Sequence, residues 1–268
     1  MRPSDLVKLL SDAGVPEQES KAAILAEKYC GVSRSRFMIR DTEFEPSPEL
    51  SGAVRRLASG EPIQYVVGTW SFMNEEYEVT PAVLIPRADT ETLVEWAIEN
   101  IPRTSRFADL CTGSGCVAIS TLAARRDLFC VAVDISGAAL EVASRNAGRS
   151  GVSDRVRFVR GDVTKGEGVD FLPDVILANP PYVTADEYAA LDRELFFEPR
   201  SALTDGGDGL SFYRAILEKY EAKIFAFEIG ASQGEDVKQI AAERGFDAEI
   251  IKDLGGRDRV AVCRRRII

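Results

Sequence analysis

The residues Asn179-Pro180-Pro181-Tyr182 follow a run of apolar residues, "DVILA", that indicates a buried strand. Proline has no N–H and a fixed φ, so two successive prolines give a stiff loop whose carbonyl groups keep their direction. The Asn179 side chain adds a carbonyl acceptor, and two such acceptors can hold one planar NH2 group. The Tyr182 ring offers a flat face against a planar amide or base. This combination predicts a site for an amino nitrogen whose lone pair is delocalised.

A second group of residues, Gly113 and Gly115 followed by Asp134, predicts a nucleotide-containing ligand. The glycines allow a tight turn and a close approach of the backbone, and the helix that begins there offers N–H groups. Asp134 ends the next predicted strand, where its carboxylate can accept hydrogen bonds from both ribose hydroxyls. The spacing also fits an NAD fingerprint. These residues alone therefore predict an adenosine-containing cofactor without saying which one.

The sequence has no histidine, which excludes a Ser-His-Asp triad and a histidine general base. The five cysteines are scattered without a CxxC pair, so we expect free thiols and no metal site. Methyl transfer from S-adenosylmethionine needs no strong base, since the methyl leaves a sulfonium and the enzyme must mainly align nitrogen, methyl and sulfur. The residues present therefore favour methylation of an amide or an exocyclic amine.

Alternating strand and helix signals from residue 86 onward provide the elements that would position these side chains. Such alternation predicts an α/β fold, a doubly wound and mostly parallel seven-stranded sheet with helices on both faces. Ligands bind beyond the carboxyl ends of the strands in such sheets. We therefore expect the 111–115 loop, Asp134 and Asn179 to meet at one edge.

The first part of the chain has a different pattern. Apolar residues recur at helical spacing, which predicts a small helical domain over residues 1–75. The stretch from 61 to 86 is rich in β-branched and aromatic residues around a turn-like "MNEE", which indicates a hairpin. We assign residues 76–85 to a β-hairpin linker region and residues 86–268 to the catalytic domain.

The charge balance bears on the partners. With 33 basic and 43 acidic residues the net charge is −10, and no basic run is longer than "RRR" at 264–266, which disfavours direct binding to nucleic acid. The N-terminal "MRPSDLVKLL" lacks the apolar core of a signal peptide, and no stretch approaches the ~20 apolar residues that span a bilayer. We expect a soluble, cytoplasmic protein without a membrane partner.

The "NPPY" at 179–182 and the "DLCTGSG" at 109–115 resemble S-adenosylmethionine-dependent methyltransferases that act on planar nitrogens. Further stretches resemble one family within this class, PrmC/HemK, the N5-glutamine methyltransferases of peptide chain release factors. These stretches are "GEPIQYVVGTWSF" (60–72), "LIPRADTE" (84–91), "EPRSALTDGGDGLSFYRAI" (198–216), "EIGASQG" (228–234) and "GGRDRV" (255–260). The resemblance implies a Rossmann-like class I methyltransferase fold, and a release factor as partner, methylated at the glutamine of its Gly-Gly-Gln motif. Because one glutamine offers few contacts, we expect the helical domain to dock the body of the release factor.

The resemblance also implies the roles of individual residues. S-adenosylmethionine would contact Cys111, Thr112, Gly113, Ser114, Gly115, Asp134, Asp162, Val163 and Asn179. The substrate would contact Asn179, Pro180, Pro181 and Tyr182, of which Asn179, Pro180 and Tyr182 would be catalytic, and no metal is implied. Family members often have Gly where this chain has Cys111. Two roles are open for Arg87. It could steady the loop at the site or the substrate, or it could pair with Glu91 on the surface, four residues further along a helix.

Two other functions fit parts of the pattern. An adenine-specific DNA or RNA amino-methyltransferase uses the same four-residue motif on a flipped base, and predicts a basic cleft. A non-catalytic nucleotide-binding module would explain the glycine loop and Asp134 but not the Asn-Pro-Pro-Tyr motif.

Overall fold

The computed structural model describes residues 1–39 and 42–266, and the chain divides into two compact units. One unit consists of Met1–Thr69 together with Asp192–Phe197. The other consists of Trp70–Leu191 and Glu198–Ile268, so it begins earlier than the boundary predicted near residue 85.

The first unit is helical. Its apolar residues at helical spacing, such as Leu6, Leu10 and Leu25, are fully buried and form a small core of their own. Tyr29 in the second helix donates a hydrogen bond of 2.7 Å to the carbonyl of Val66 in the fifth. The five α-helices described in this unit are α1 Pro3–Asp12, α2 Gln18–Cys30, α3 Arg34–Phe37, α4 Leu50–Ala58 and α5 Ile63–Val67.

A β-hairpin follows the helical segment, as we predicted, but its strands lie earlier in the chain than we predicted. Its strands are β1 Thr69–Phe72 and β2 Glu75–Glu78, so the 76–85 assignment placed it too late along the chain. The alternating apolar residues after 78 include Val83 and Ile85, which are buried without forming a strand. Pro81 and Pro86 lack the N–H that a ladder requires, which explains the difference.

The second unit contains the predicted seven-stranded sheet. Its strand order is β5-β4-β3-β6-β7-β9-β8, in which the strands β3 to β7 are parallel to one another and β9 is antiparallel to both β7 and β8. The strands are β3 Arg106–Leu110, β4 Phe129–Asp134, β5 Val156–Arg160, β6 Val175–Ala178, β7 Ile224–Glu228, β8 Phe246–Lys252 and β9 Asp258–Arg265.

Helices cover both faces of this sheet, because its central strands are apolar on both sides. Phe107 packs in a cluster with residues of α6 and α7, whereas its neighbour Ala108 packs in a second cluster with residues of α11 and α12. The helices of this unit are α6 Glu91–Asn100, α7 Cys116–Ala124, α8 Gly137–Arg149, α9 Ala185–Ala189, α10 Arg200–Leu203, α11 Ser211–Lys219 and α12 Gly234–Glu243. Among the described residues, no helix is long and apolar enough to cross a membrane.

The register of the strands determines which residues meet at the carboxyl edge. Leu110, the last residue of β3, pairs with Val133 of β4 on one side and with Ala178 of β6 on the other. The direction of winding reverses between these two neighbours, which is where ligands bind in such sheets. Cys111 and Asn179 leave the sheet beside each other as a result.

Candidate active site

A cavity of about 280 Å³ lies at this carboxyl edge, within the second unit. Helix ends and loops that follow β3, β4 and β6 line it. Most of the predicted site residues contribute to the lining, namely Cys111, Thr112, Gly113, Ser114, Asp134, Asp162, Val163, Asn179 and Pro181. The structure therefore brings the glycine loop, the acidic strand end and the Asn-Pro-Pro-Tyr loop to one site.

Three predicted residues, Gly115, Pro180 and Tyr182, lie outside the cavity lining. Gly115 is the N-cap of α7 at φ 83°, and a Cβ there would lie 2.7 Å from the Cδ1 atom of Ile119. This glycine therefore serves close packing beneath the loop. Pro180 is buried, and the hydroxyl of Tyr182 is engaged inside the protein. Contact of these three residues with a ligand stays a prediction.

The loop after β3 is held from below by Asp109. This carboxylate is 1% exposed and accepts hydrogen bonds from the Thr112 hydroxyl at 2.6 Å and from the Ala118 N–H at 3.3 Å. Burial raises the pKa of Asp109 to about 7. Cys111 has φ 62°, in the left-handed region where glycine is the easiest residue, which explains why glycine suits this position. This role of Asp109 was not predicted, although an Asp inside an apolar strand was the available signal.

The carboxylate of Asp134 is fixed by backbone groups at the end of β4. One of its oxygens accepts from the Gly113 N–H and the other from the Ser136 N–H, both at 2.9 Å. Burial raises the pKa of Asp134. A carboxylate oxygen has two lone pairs, so each one can accept a further hydrogen bond from a ribose hydroxyl in the cavity.

The part of the cavity that follows the neighbouring strand β5 combines an apolar wall with a carboxylate. Val163 is 4% exposed and provides an apolar wall, while Asp162 caps the short 3-10 turn that carries it by accepting from the Thr164 N–H. A fixed carboxylate next to an apolar wall is a chemically suitable arrangement for adenosine. No group of His, Cys, Asp and Glu side chains in the described ranges is arranged to hold a metal ion.

The Asn-Pro-Pro-Tyr loop is held by three side chains from other elements. Nδ2 of Asn179 donates to the Thr90 hydroxyl at 3.2 Å. The Tyr182 hydroxyl donates to Oε1 of Glu228 at 3.2 Å, and Gln233 donates to the Tyr182 carbonyl at 2.9 Å. The loop is therefore rigid because of its surroundings as well as its prolines.

Glu228 and Gln233 belong to the "EIGASQG" stretch and Thr90 to "LIPRADTE", to which the sequence analysis gave no individual roles. Arg87, from the same stretch as Thr90, lines the cavity and forms an ion pair with Glu198, whose side chain is 1% exposed. Glu91 instead accepts a hydrogen bond from the N–H of Met73. The structure therefore pairs Arg87 with Glu198, and its role in steadying the loop or the substrate stays a prediction.

Gly209 provides a test of how closely the Asn-Pro-Pro-Tyr loop is packed. A Cβ at Gly209 would lie 2.2 Å from the Tyr182 carbonyl oxygen, and φ is 74°. We expect Gly209→Ala to lower the free energy of unfolding by about 1 to 3 kcal/mol more than Gly206→Ala does, as measured by denaturant titration. Gly206 is the matched control, because its φ is 76° but a Cβ there would meet nothing within 4 Å. Equal losses in the two variants would show that the loop is not packed against Gly209.

Known proteins are similar to this chain in sequence and in fold. Residues 88–224 match the methyltransferase small domain, and residues 4–68 match the PrmC N-terminal domain. The chain is 40% identical to the release factor glutamine methyltransferase of Nitratidesulfovibrio vulgaris, over 81% of this chain and 77% of that protein. It is 36% identical to the release factor glutamine methyltransferase of Moorella thermoacetica, over 98% of this chain and 96% of that protein.

Among solved structures, the catalytic domain of hMettl16, crystallised with the MAT2A 3'UTR hairpin 6, has a TM-score of 0.60. The match covers 91% of this chain and 92% of that chain at 14% identity, so it shows a shared fold alone.

Proposed function

The chain belongs to the family of release factor glutamine methyltransferases, and on that premise we propose how its cavity carries out the reaction. The enzyme transfers a methyl group from S-adenosylmethionine to the side-chain amide nitrogen of a release factor glutamine. One observation carries the assignment of the site to this chemistry. Asn179 lies at the end of β6 in the same cavity as Asp134, and its NH2 is engaged by Thr90, so its carbonyl oxygen is the group left for a substrate amide.

Each part of the cofactor has suitable residues in the cavity. When bound, S-adenosylmethionine supplies a methyl group attached to a sulfonium. The sulfur is a good leaving group, because it departs as a neutral thioether. Asp134 would bind the ribose hydroxyls, Asp162 and Val163 would border the adenine, and the 111–115 loop would hold the methionine end. The hydrogen bonds that fix Asp134 and the apolar wall at Val163 support this arrangement.

The protein must make a poor nucleophile reactive. An amide nitrogen shares its lone pair with its own carbonyl, and positive charge develops on it as the new bond forms. The Asn179 side-chain carbonyl and the Pro180 backbone carbonyl would accept hydrogen bonds from the substrate NH2 and stabilise that charge in the transition state. The methylated nitrogen is strongly acidic, so water can take its proton. Pro181 and Tyr182 would complete the glutamine pocket.

The partners follow from the substrate. A release factor is the macromolecule that the enzyme must bind, and we propose that it does so without direct contact with nucleic acid. The net charge of −10 supports this view, because tight nucleic-acid binding depends on neutralising phosphates. Release factors act in translation, so we place the enzyme in the cytoplasm.

A panel of acceptors tests the substrate class. Purified enzyme is incubated with methyl-labelled S-adenosylmethionine and, separately, with a release factor, a ribosomal protein fraction and adenine-containing DNA. Label should enter the release factor and neither of the others. Label in DNA with none in the release factor would support the adenine-methylating alternative and refute the proposal.

We propose that the helical unit docks the body of the release factor, the role predicted for residues 1–75. A single glutamine side chain offers few contacts, so selecting one glutamine among all cellular proteins requires a second recognition surface. The side chains of Met38 and Ile39 in this unit are 78% and 60% exposed, respectively. Adjacent exposed apolar side chains can contribute to an apolar patch of the kind that marks an interaction site.

Removal of residues 1–69 tests the docking role. The remaining chain, which begins at Trp70, should still bind S-adenosylmethionine and methylate a short peptide containing Gly-Gly-Gln. Its kcat/KM for the intact release factor should fall by about 100-fold or more, since the docking contacts would have contributed about 3 kcal/mol. Circular dichroism and calorimetry confirm that the shortened chain is folded. An equal effect on the peptide and on the intact protein would refute docking.

A further inference from the structure

A buried threonine contacts the side-chain amide of Asn179. The Oγ1 atom of Thr90 lies 3.2 Å from Nδ2 of Asn179, and Thr90 is 1% exposed. An asparagine amide can turn either its NH2 or its carbonyl toward a hydroxyl, because a hydroxyl both donates and accepts. Only one of the two orientations serves the reaction, since the substrate NH2 needs the Asn179 carbonyl.

The single proton of the Thr90 hydroxyl selects between these orientations. If the hydroxyl donates to a third group, its oxygen can only accept, and the NH2 of Asn179 must face it. Glu228 is the candidate for that third group, because it offers a buried carboxylate oxygen without a partner among the described residues and the Thr90 hydroxyl acts to lower its pKa. Oε2 of Glu228 is buried and accepts no hydrogen bond from the residues that the structure describes, so it is an acceptor with room for this proton.

Glu228 occupies a fixed position behind the loop. It ends β7 with 1% exposure, and its Oε1 accepts from the Tyr182 hydroxyl at 3.2 Å. The same carboxylate thus contacts the loop through Tyr182 and acts on Asn179 through Thr90. Both ends of the Asn-Pro-Pro-Tyr motif are thereby linked to one buried acid.

We propose that Thr90 is a positioning residue. Its hydroxyl donates to Glu228 and accepts from the NH2 of Asn179, and this arrangement turns the Asn179 carbonyl toward the substrate amide. This inference rests on the proposed function of Asn179. The covalent chemistry is unchanged, and Thr90 acts only through the orientation of Asn179.

The ionisation state of Glu228 determines the direction of these hydrogen bonds. A protonated Glu228 could donate to Thr90, which would free the Thr90 proton for the Asn179 carbonyl and reverse the amide. Burial raises the pKa of Glu228 to about 7, against the opposing effects of Thr90, Arg259 and Tyr182, while Asp89 raises it further. The competent form therefore becomes populated as the pH rises through about 7.

Thr90→Val and Thr90→Ser test the role of the hydroxyl. Valine keeps the shape of threonine without the hydroxyl, and we expect kcat to fall about 10- to 100-fold, because misplacing a reacting group by about 1 Å costs up to about 100-fold. The KM for the release factor and the affinity for S-adenosylmethionine should change less than about threefold. Thr90→Ser retains the hydroxyl and should recover most of the rate. If valine unfolds the protein, Thr90→Ala replaces it.

Two results would overturn the proposal: a wild-type kcat in the valine variant, or equal losses in valine and serine. Either result would leave the proposed function intact as long as the wild-type enzyme methylates a release factor. A wild-type enzyme that methylates no release factor would instead refute the function itself.

The pH dependence of kcat separates a positioning role from a merely structural one. Wild-type kcat should rise between pH 6 and pH 8 with a midpoint near the Glu228 pKa of about 7. Glu228→Gln cannot ionise and should lose this rise. An unchanged midpoint in Glu228→Gln would overturn the role of Glu228 and point to another buried acid, such as Asp109, whose pKa burial also raises to about 7.

Discussion

Asn179→Ala should lower kcat for methylation of a release factor by about 100- to 1000-fold. A fixed hydrogen-bonding group aimed at developing charge contributes this much in other enzymes, because it stabilises the transition state more than the ground state. The KM for the release factor should change little, since the docking contacts lie elsewhere. Initial rates measured over a range of release factor concentrations, with saturating S-adenosylmethionine, give both quantities.

A second asparagine in the same unit provides the control. Asn100 donates to the carbonyl of Trp96 near the end of α6, and it does not line the cavity. Asn100→Ala should therefore retain the wild-type rate. A near-normal rate in Asn179→Ala would remove the carbonyl acceptor from the mechanism.

Asp134→Ala should weaken the binding of S-adenosylmethionine by about 1.5 to 3 kcal/mol, the contribution of hydrogen bonds to a charged group. This corresponds to a roughly 10- to 150-fold higher Kd. The substitution also removes the acceptor for the N–H groups of Gly113 and Ser136, so the glycine loop should lose part of its order. Isothermal titration calorimetry measures the change in affinity directly.

Asp170→Ala is the matched control for this measurement. Asp170 pairs with Arg157 at the surface, with its side chain 68% exposed, and is not part of the cavity lining. Its replacement should leave the affinity unchanged. The same affinity in Asp134→Ala and the wild type would place the ribose elsewhere, and tight binding of NADH would contradict the cofactor itself.

The fold was predictable because its signals are local. Each buried strand appears in the sequence as a short apolar run, and each helix as apolar residues that recur about every 3.6 residues. Because the two patterns alternate along the chain, few fold architectures are compatible with them. The carboxyl-edge position of Asp134 and Asn179 followed from that alternation. The hairpin strands were misplaced because "YEVTPAVLI" has the alternation of a strand while its proline prevents a ladder.

The supporting residues of the site could not be predicted in the same way. Thr90 lies 89 residues from Asn179, and Glu228 lies 46 residues from Tyr182. Spacing along the chain gives no information on such pairs, because only the strand order brings them together. Burial of an acid such as Glu228 is likewise a property of the packed structure, so its raised pKa had no counterpart in the sequence.

Tandem mass spectrometry of a release factor treated with the wild-type enzyme and S-adenosylmethionine tests the proposed chemistry most directly. We expect one added methyl group, located on the side-chain nitrogen of the glutamine in the Gly-Gly-Gln motif, and a roughly 100-fold or more slower appearance of the same modification with Asn179→Ala. A methyl group on another residue of the release factor, or the same modified glutamine at an unchanged rate with Asn179→Ala, would contradict a site in which the Asn179 carbonyl holds the amide.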